Sequence, residues 1–199
     1  MTHERRTLRF LLLVSAILAG GARVAVQRVE STGPPLPFED IGACPFEGCV
    51  YRDWVANSPV TVRRERRSDS PVAFMLEKGD HVQALTGIVV TLKPGRVQFR
   101  NAVDLTSSAG RLHVEPGETL YLLTYHGEGV TTAWFKGRLY DEVDGSEFIN
   151  AICDFRPGTC NGTIVDKPQT VWWVRLRNRN RATGWTSETG KFDNKDRFG

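Results

Sequence analysis

Four cysteines, four histidines and one dense run of carboxylates are the residues of this 199-residue chain whose types could do covalent or metal chemistry. The cysteines form two local pairs, Cys44 and Cys49 in CPFEGC, and Cys153 and Cys160 in CDFRPGTC. A free thiolate can attack a carbonyl or bind a metal, whereas a sulfur held in a disulfide can do neither. Three connectivities are open to four cysteines, and pairing within each loop is expected because the ends of a short segment meet at the least entropic cost. One zinc ion on all four thiolates is the alternative; such sites favour tight spacing and reducing compartments, and no metal site is expected. His3 stands near the N-terminus, His81 follows a Lys-Gly-Asp turn, His113 lies in RLHVEPG, and His126 precedes the turn GEG. Asp141, Glu142, Asp144 and Glu147 crowd YDEVDGSE, but their spacing is not that of a calcium loop, and a solvated loop is the expected reading. No Gly-x-Ser-x-Gly, His-Glu-x-x-His or phosphate-binding glycine loop occurs. No catalytic residue and no cofactor follow from this inventory, and the chain is expected not to be an enzyme.

What remains is recognition by flat rings. The stretch VWWVRLRNRNRATGWTSETG, 171–190, carries Trp172, Trp173 and Trp185, and Trp134, Tyr121, Tyr125 and Tyr140 stand upstream. Neighbouring side chains on a strand face opposite sides of its sheet, so Trp172 and Trp173 cannot both be core. Trp172 shares parity with Val174 and Leu176 and is assigned inward; Trp173, with Arg175 and Arg177, forms the outward set. Trp134 and Phe135 make a similar opposed pair. The candidate ligand-binding residues are therefore Trp173, Trp134, Tyr125, Tyr121 and Arg175. If they converge, they floor a groove with aromatics and edge it with arginines, suited to an acidic or amide-rich peptide. The other reading is that the outward rings are covered by the rest of the chain.

Short runs rich in Val, Leu, Thr, Tyr and Trp must position these side chains. PVTVR (59–63), HVQAL (81–85), GIVVTL (87–92), RVQFR (96–100), TLYLLTY (119–125), TTAWFKGRLY (131–140) and VWWVRLR (171–177) are separated by Gly and Pro turns. Nothing after the N-terminus sustains a helical period, so the class is all-β. A partial repeat is visible: EKGDHVQALT (77–86) aligns with EPGETLYLLT (115–124) at an offset of 38, and VTVRR (60–64) with VQFRN (97–101) at 37.

The segment VTVRRERRSDSPVAFMLEKGDHVQAL, 60–85, resembles the opening of bacterial SH3-like (SH3b) domains, and WWVRLRNRNRATGW, 172–185, resembles their close. The resemblance implies small SH3-like barrels, two in tandem with the first abbreviated, or one barrel with an extended N-terminal sheet. With the proline-rich, aperiodic start read as an extended arm, the chain is expected to divide into that arm with the first cysteine loop (22–49), a partial first unit (50–95), a second unit (96–190) with an insertion at 141–170, and a flexible tail (191–199). The resemblance also implies an exported module that recognises a peptidoglycan peptide or an envelope protein; a structural subunit with its aromatic faces buried on a partner is the alternative.

Compartment is read from the N-terminus. Arg5, Arg6 and Arg9 precede the apolar run FLLLVSAILA, and small residues follow, which is the order of a signal peptide over 1–21. The run is too short for a permanent span, so no lasting membrane anchor is expected once it is cleaved. Most of the net charge of +3 resides in that leader, leaving the remainder nearly neutral. Nucleic-acid binding is not expected: RRERR (63–67) and RLRNRNR (175–181) are short, and the first contains an acid. The chain is expected to be exported, periplasmic or extracellular, with disulfides stable there.

Overall fold

The computed structural model describes residues 33–149 and 160–197. The leader, the start of the arm and Cys153 lie outside the described residues. Within them the chain is all-β, with one 3₁₀ turn at Thr189–Lys191 and no α-helix.

One sheet is built from both ends of the described chain. It contains β1 (Phe38–Ile41), β2 (Asp53–Ala56), β3 (Val60–Arg63), β4 (Val72–Leu76) and the long β5 (His81–Lys93). The chain then makes β6 (Gly95–Phe99), β7 (Val103–Ser107), β8 (Gly110–Val114), β9 (Thr119–Gly127), β10 (Val130–Phe135), β11 (Arg138–Asp144) and β12 (Gly162–Asp166). It returns as β13 (Gln169–Arg177), β14 (Thr183–Thr186) and β15 (Phe192–Asp193), which complete the first sheet in the order β15-β2-β5-β13-β14-β3-β4, with β1 also paired to β5. The second sheet runs β11-β10-β9-β6-β12, and β7 and β8 form a hairpin beside it.

Alternation explains the strands. In β3, Val60 and Val62 are buried while Thr61 and Arg63 are half-exposed, the period-two pattern of a sheet with one covered face. The first core gathers Trp54, Val60, Val62, Leu76, Val82, Val174, Leu176 and Phe192. The second gathers Val97, Phe99, Leu105, Leu112, Leu120, Leu122, Phe135 and Val143 from the second sheet and the hairpin, and Phe148 from the turn after β11. A buried hydroxyl joins the two bodies of strand: Thr91 Oγ1 donates to the carbonyl of Leu123 at 3.0 Å.

The two halves repeat one another, and the repeat is nested rather than sequential. β2, β3, β4, β5, β13 and β14, the outer unit, correspond in order to β6, β7, β8, β9, β10 and β11, the inner unit, and in pairing too, except that β14 pairs with β3 whereas β11 only lies beside β7. The Gly turns are the strongest match. Glu77 N donates to Asp80 Oδ2 and Glu115 N to Glu118 Oε2, each at 2.9 Å, around Gly79 and Gly117. The upstream alignment of VTVRR with VQFRN is corrected: VQF lies in β6, the counterpart of β2, and the counterpart of β3 is β7. The offset misled because eight residues join β3 to β4 where two join β7 to β8.

The closing hairpin, grouped on sequence with the second half, pairs with strands of the first: β13 with β5, and β14 with β3 through Trp185 opposite Arg63. Gly184 makes that approach possible, since a Cβ there would stand 2.6 Å from the carbonyl oxygen of Arg63. The expected flexible tail is also corrected. Phe192 is buried against Trp54, with ring centroids 5.5 Å apart, and β15 pairs with β2.

Candidate functional site

The outward face of β13 carries Val171, Trp173 and Arg175, and the inward face carries Trp172, Val174 and Leu176. Trp172 meets Phe46 and Trp54 at 5.8 Å and Tyr51 at 6.3 Å between ring centroids. Tyr51 ties this cluster to the first cysteine loop: its hydroxyl donates to Ala43 O at 2.5 Å and accepts from Trp172 Nε1 at 3.2 Å. Burial pushes the Tyr51 phenol up to about 12. Cys44 and Cys49 form a disulfide across that loop. Cys160 is disulfide-bonded too.

Rows of directly opposed residues build the outward surface, because cross-strand partners in an antiparallel sheet share a face. Glu39, Val90 and Val171 form one row across β1, β5 and β13; Ile41, Ile88 and Trp173 form the next. Arg175 of β13 faces Trp185 of β14, which faces Arg63 of β3. The loop after β3 rises along one side, and the result is a groove of about 550 Å³ lined by Val90, Leu92, Val171, Trp173 and Trp185, with Glu39 and residues 64–67 as its wall. Residues 64–67 of RRERR are thus the polar wall of an aromatic groove.

Two guanidinium groups lie over the Trp185 ring, Arg66 at 5.7 Å and Arg175 at 6.0 Å from its centroid. Arg66 also grips Glu39 through two nitrogens, Nη1 to Oε1 and Nη2 to Oε2, each at 3.0 Å. Such a fork-to-fork pair fixes both direction and plane. Arg67 reaches Glu65 and Asp69, each at 3.4 Å.

Of the sequence candidates, the structure brings Trp173 into this groove and Arg175 beside it, over the Trp185 ring, and places the others elsewhere. Trp134 and Tyr121 oppose each other on β10 and β9, in a row with Leu139, Arg96 and Asp166 on the face of the second sheet turned away from its core. Tyr125 is 41% exposed at the end of β9, where its hydroxyl accepts from Gly129 N at 3.3 Å. Sequence reasoning missed Trp185, Arg66 and Glu39. The signal for Trp185 was its place between Gly184 and Thr186, both buried, which sets the ring on the opposite face.

A second polar cluster lies beside the disulfide loop. His126 Nε2 meets Thr132 Oγ1 at 2.8 Å and Asp40 Oδ2 at 3.2 Å, and Thr132 Oγ1 donates to Asp40 Oδ2 at 3.2 Å. Burial alone would push the Asp40 carboxyl up; the hydrogen bond and charge of His126 outweigh it and hold Asp40 below the usual carboxylate value. Asp40 and Thr132 both meet the same ring nitrogen, so the group is not a nucleophile-activating relay, which needs its carboxylate on the far nitrogen. His81 pairs with Asp53, and His113 with Asp104 and Glu115, on exposed strands. Among the described residues no group of His, Cys, Asp or Glu is arranged to hold a metal ion, and no helix is long and apolar enough to cross a membrane. No family model, curated protein or solved structure matches the chain.

Proposed function

We propose that the chain is an exported, non-catalytic binding module of SH3-like units, and that the outer unit takes an extended peptide, such as a peptidoglycan peptide or a strand of an envelope protein, in the Trp173–Trp185 groove. The observation that carries this reading is the groove itself: two half-buried indoles and an aliphatic floor, edged by arginines, on the outward face of the first sheet. Indole rings supply large contact area with few torsions to freeze, and backbone amides stack on them. The SH3-like assignment is supported by the twice-built arrangement of short strands and by the motifs at 60–85 and 172–185. Export is supported by the leader pattern at 1–21 and by the Cys44–Cys49 disulfide.

The test is sedimentation with purified peptidoglycan, followed by the same assay on Trp173→Ala. The wild type is expected in the pellet and the variant in the supernatant, with its unfolding midpoint nearly unchanged because Trp173 is outside the core cluster. Wild-type protein that stays in the supernatant rejects the wall-peptide form of the reading. One observation favours a second reading, an assembly subunit buried on a partner: Leu92 in the groove and Ile41 beside it are 55% and 76% exposed. Such apolar exposure suits a larger protein interface, and retention of an envelope protein that depends on Ile41 would support it.

A further inference from the structure

Within that binding reading, on which this step rests, we infer that Arg66 is a receptor for a ligand carboxylate and that Glu39 occupies it as an internal substitute. The argument begins with the fork. Arg66 holds the two oxygens of Glu39 with two nitrogens at 3.0 Å, the geometry a guanidinium offers any carboxylate. The pair sits at the wall of the groove, and the Arg66 guanidinium also lies over the ring of Trp185. A peptide lying on Trp173 and Trp185 therefore brings its own acidic group within reach of the same fork.

Exchange is feasible because neither partner is locked in. The Arg66 and Glu39 side chains are 29% and 40% exposed, so Glu39 can swing into water as the incoming carboxylate docks. Charge also favours an anionic ligand: the groove wall carries Arg64, Arg66 and Arg67 against Glu39 and Glu65, with Arg175 across the Trp185 ring. Arg64 and Arg175 have no carboxylate partner among the described residues. The inner unit has nothing equivalent, since only residues 108 and 109 join β7 to β8. The eight-residue loop after β3 is therefore what distinguishes the outer unit as the ligand-bearing one. The ligand class is a peptide segment with a free carboxylate, terminal or side-chain, and Glu39 sets a threshold that neutral peptides do not have to cross and do not benefit from crossing.

The test uses the full chain and two probes, an N-acetylated alanine tetrapeptide with a free C-terminal carboxylate and its carboxamide, followed by NMR of the tryptophan indole NH signals. The carboxylate probe is expected to bind about two- to fivefold tighter than the amide, the scale of a partly exposed ion pair. Glu39→Gln widens that preference, Arg66→Gln abolishes it, and Arg66→Lys, which keeps the charge without the fork, leaves part of it. Equal binding of both probes, or a preference unchanged in Arg66→Gln, overturns the carboxylate role while leaving the groove reading in place. If neither probe moves the indole signals of Trp173 and Trp185, both fail together.

Discussion

Tyr51 shows how much a single side chain can carry in this chain. It links the first cysteine loop to the tryptophan cluster by one donated and one accepted hydrogen bond, on partners 8 and 121 residues away. Tyr51→Phe leaves the Ala43 carbonyl and the Trp172 indole NH without that partner, and the loss is expected to be about 1–3 kcal/mol in a urea titration. The phenol gives a second readout. Its pKa is raised in the folded state, so the stability it contributes is present below pH 10 and is lost as pH rises toward about 12. Absorbance titration should show one late-ionising tyrosine that Tyr51→Phe removes; its persistence would assign the shift to another residue. The tryptophan pair at 172 and 173 was legible from alternation alone, because parity is a local rule. Tyr51 was not, since nothing local names a partner 121 residues away.

Element scale is where the sequence spoke most clearly and also misled. Short runs between Gly and Pro turns mark most of the strands, and the two Gly turns at 77–80 and 115–118 repeat down to their side-chain hydrogen bonds. Register upstream was misread because loop length, not strand content, sets the offset there. The tail was misread for a similar reason: Phe192 is one apolar residue among polar ones, and only its burial on Trp54 makes β15 a strand. The approach of β14 to β3 depends on Gly184. Gly184→Ala forces a methyl toward a backbone oxygen that cannot yield as a side-chain tip can, and should cost about 1–3 kcal/mol or more. Near-UV circular dichroism of the tryptophans should weaken in parallel, and an unchanged midpoint would show that the sheet opens there without penalty.

At the scale of the molecule, one strand order is enclosed within another. Lys93 at the end of β5 lies opposite Gln169 at the start of β13, so the excursion of residues 94–168 begins and ends at adjacent positions. Replacing it with an Asn-Gly turn should leave the outer unit able to fold, since such a turn joins opposed strand ends without splaying them. The shortened protein is expected to unfold cooperatively and keep its tryptophan signal, with a lower midpoint because the Thr91–Leu123 and Asp40–His126 links are gone. A product without near-UV signal would show that the outer unit depends on the inner one. The enclosed order was not legible in the sequence, where repeats read naturally as successive. It also sets a timetable for a chain delivered N-terminus first. The inner unit has its equivalent strands by Asp144, whereas the outer one joins Asn57 to Asp193 across 136 residues. Contacts so distant close late. Until the last residues emerge, β2 to β5 wait with Trp54 uncovered, so the segment that opens the fold spends longest as a target for chaperones and proteases.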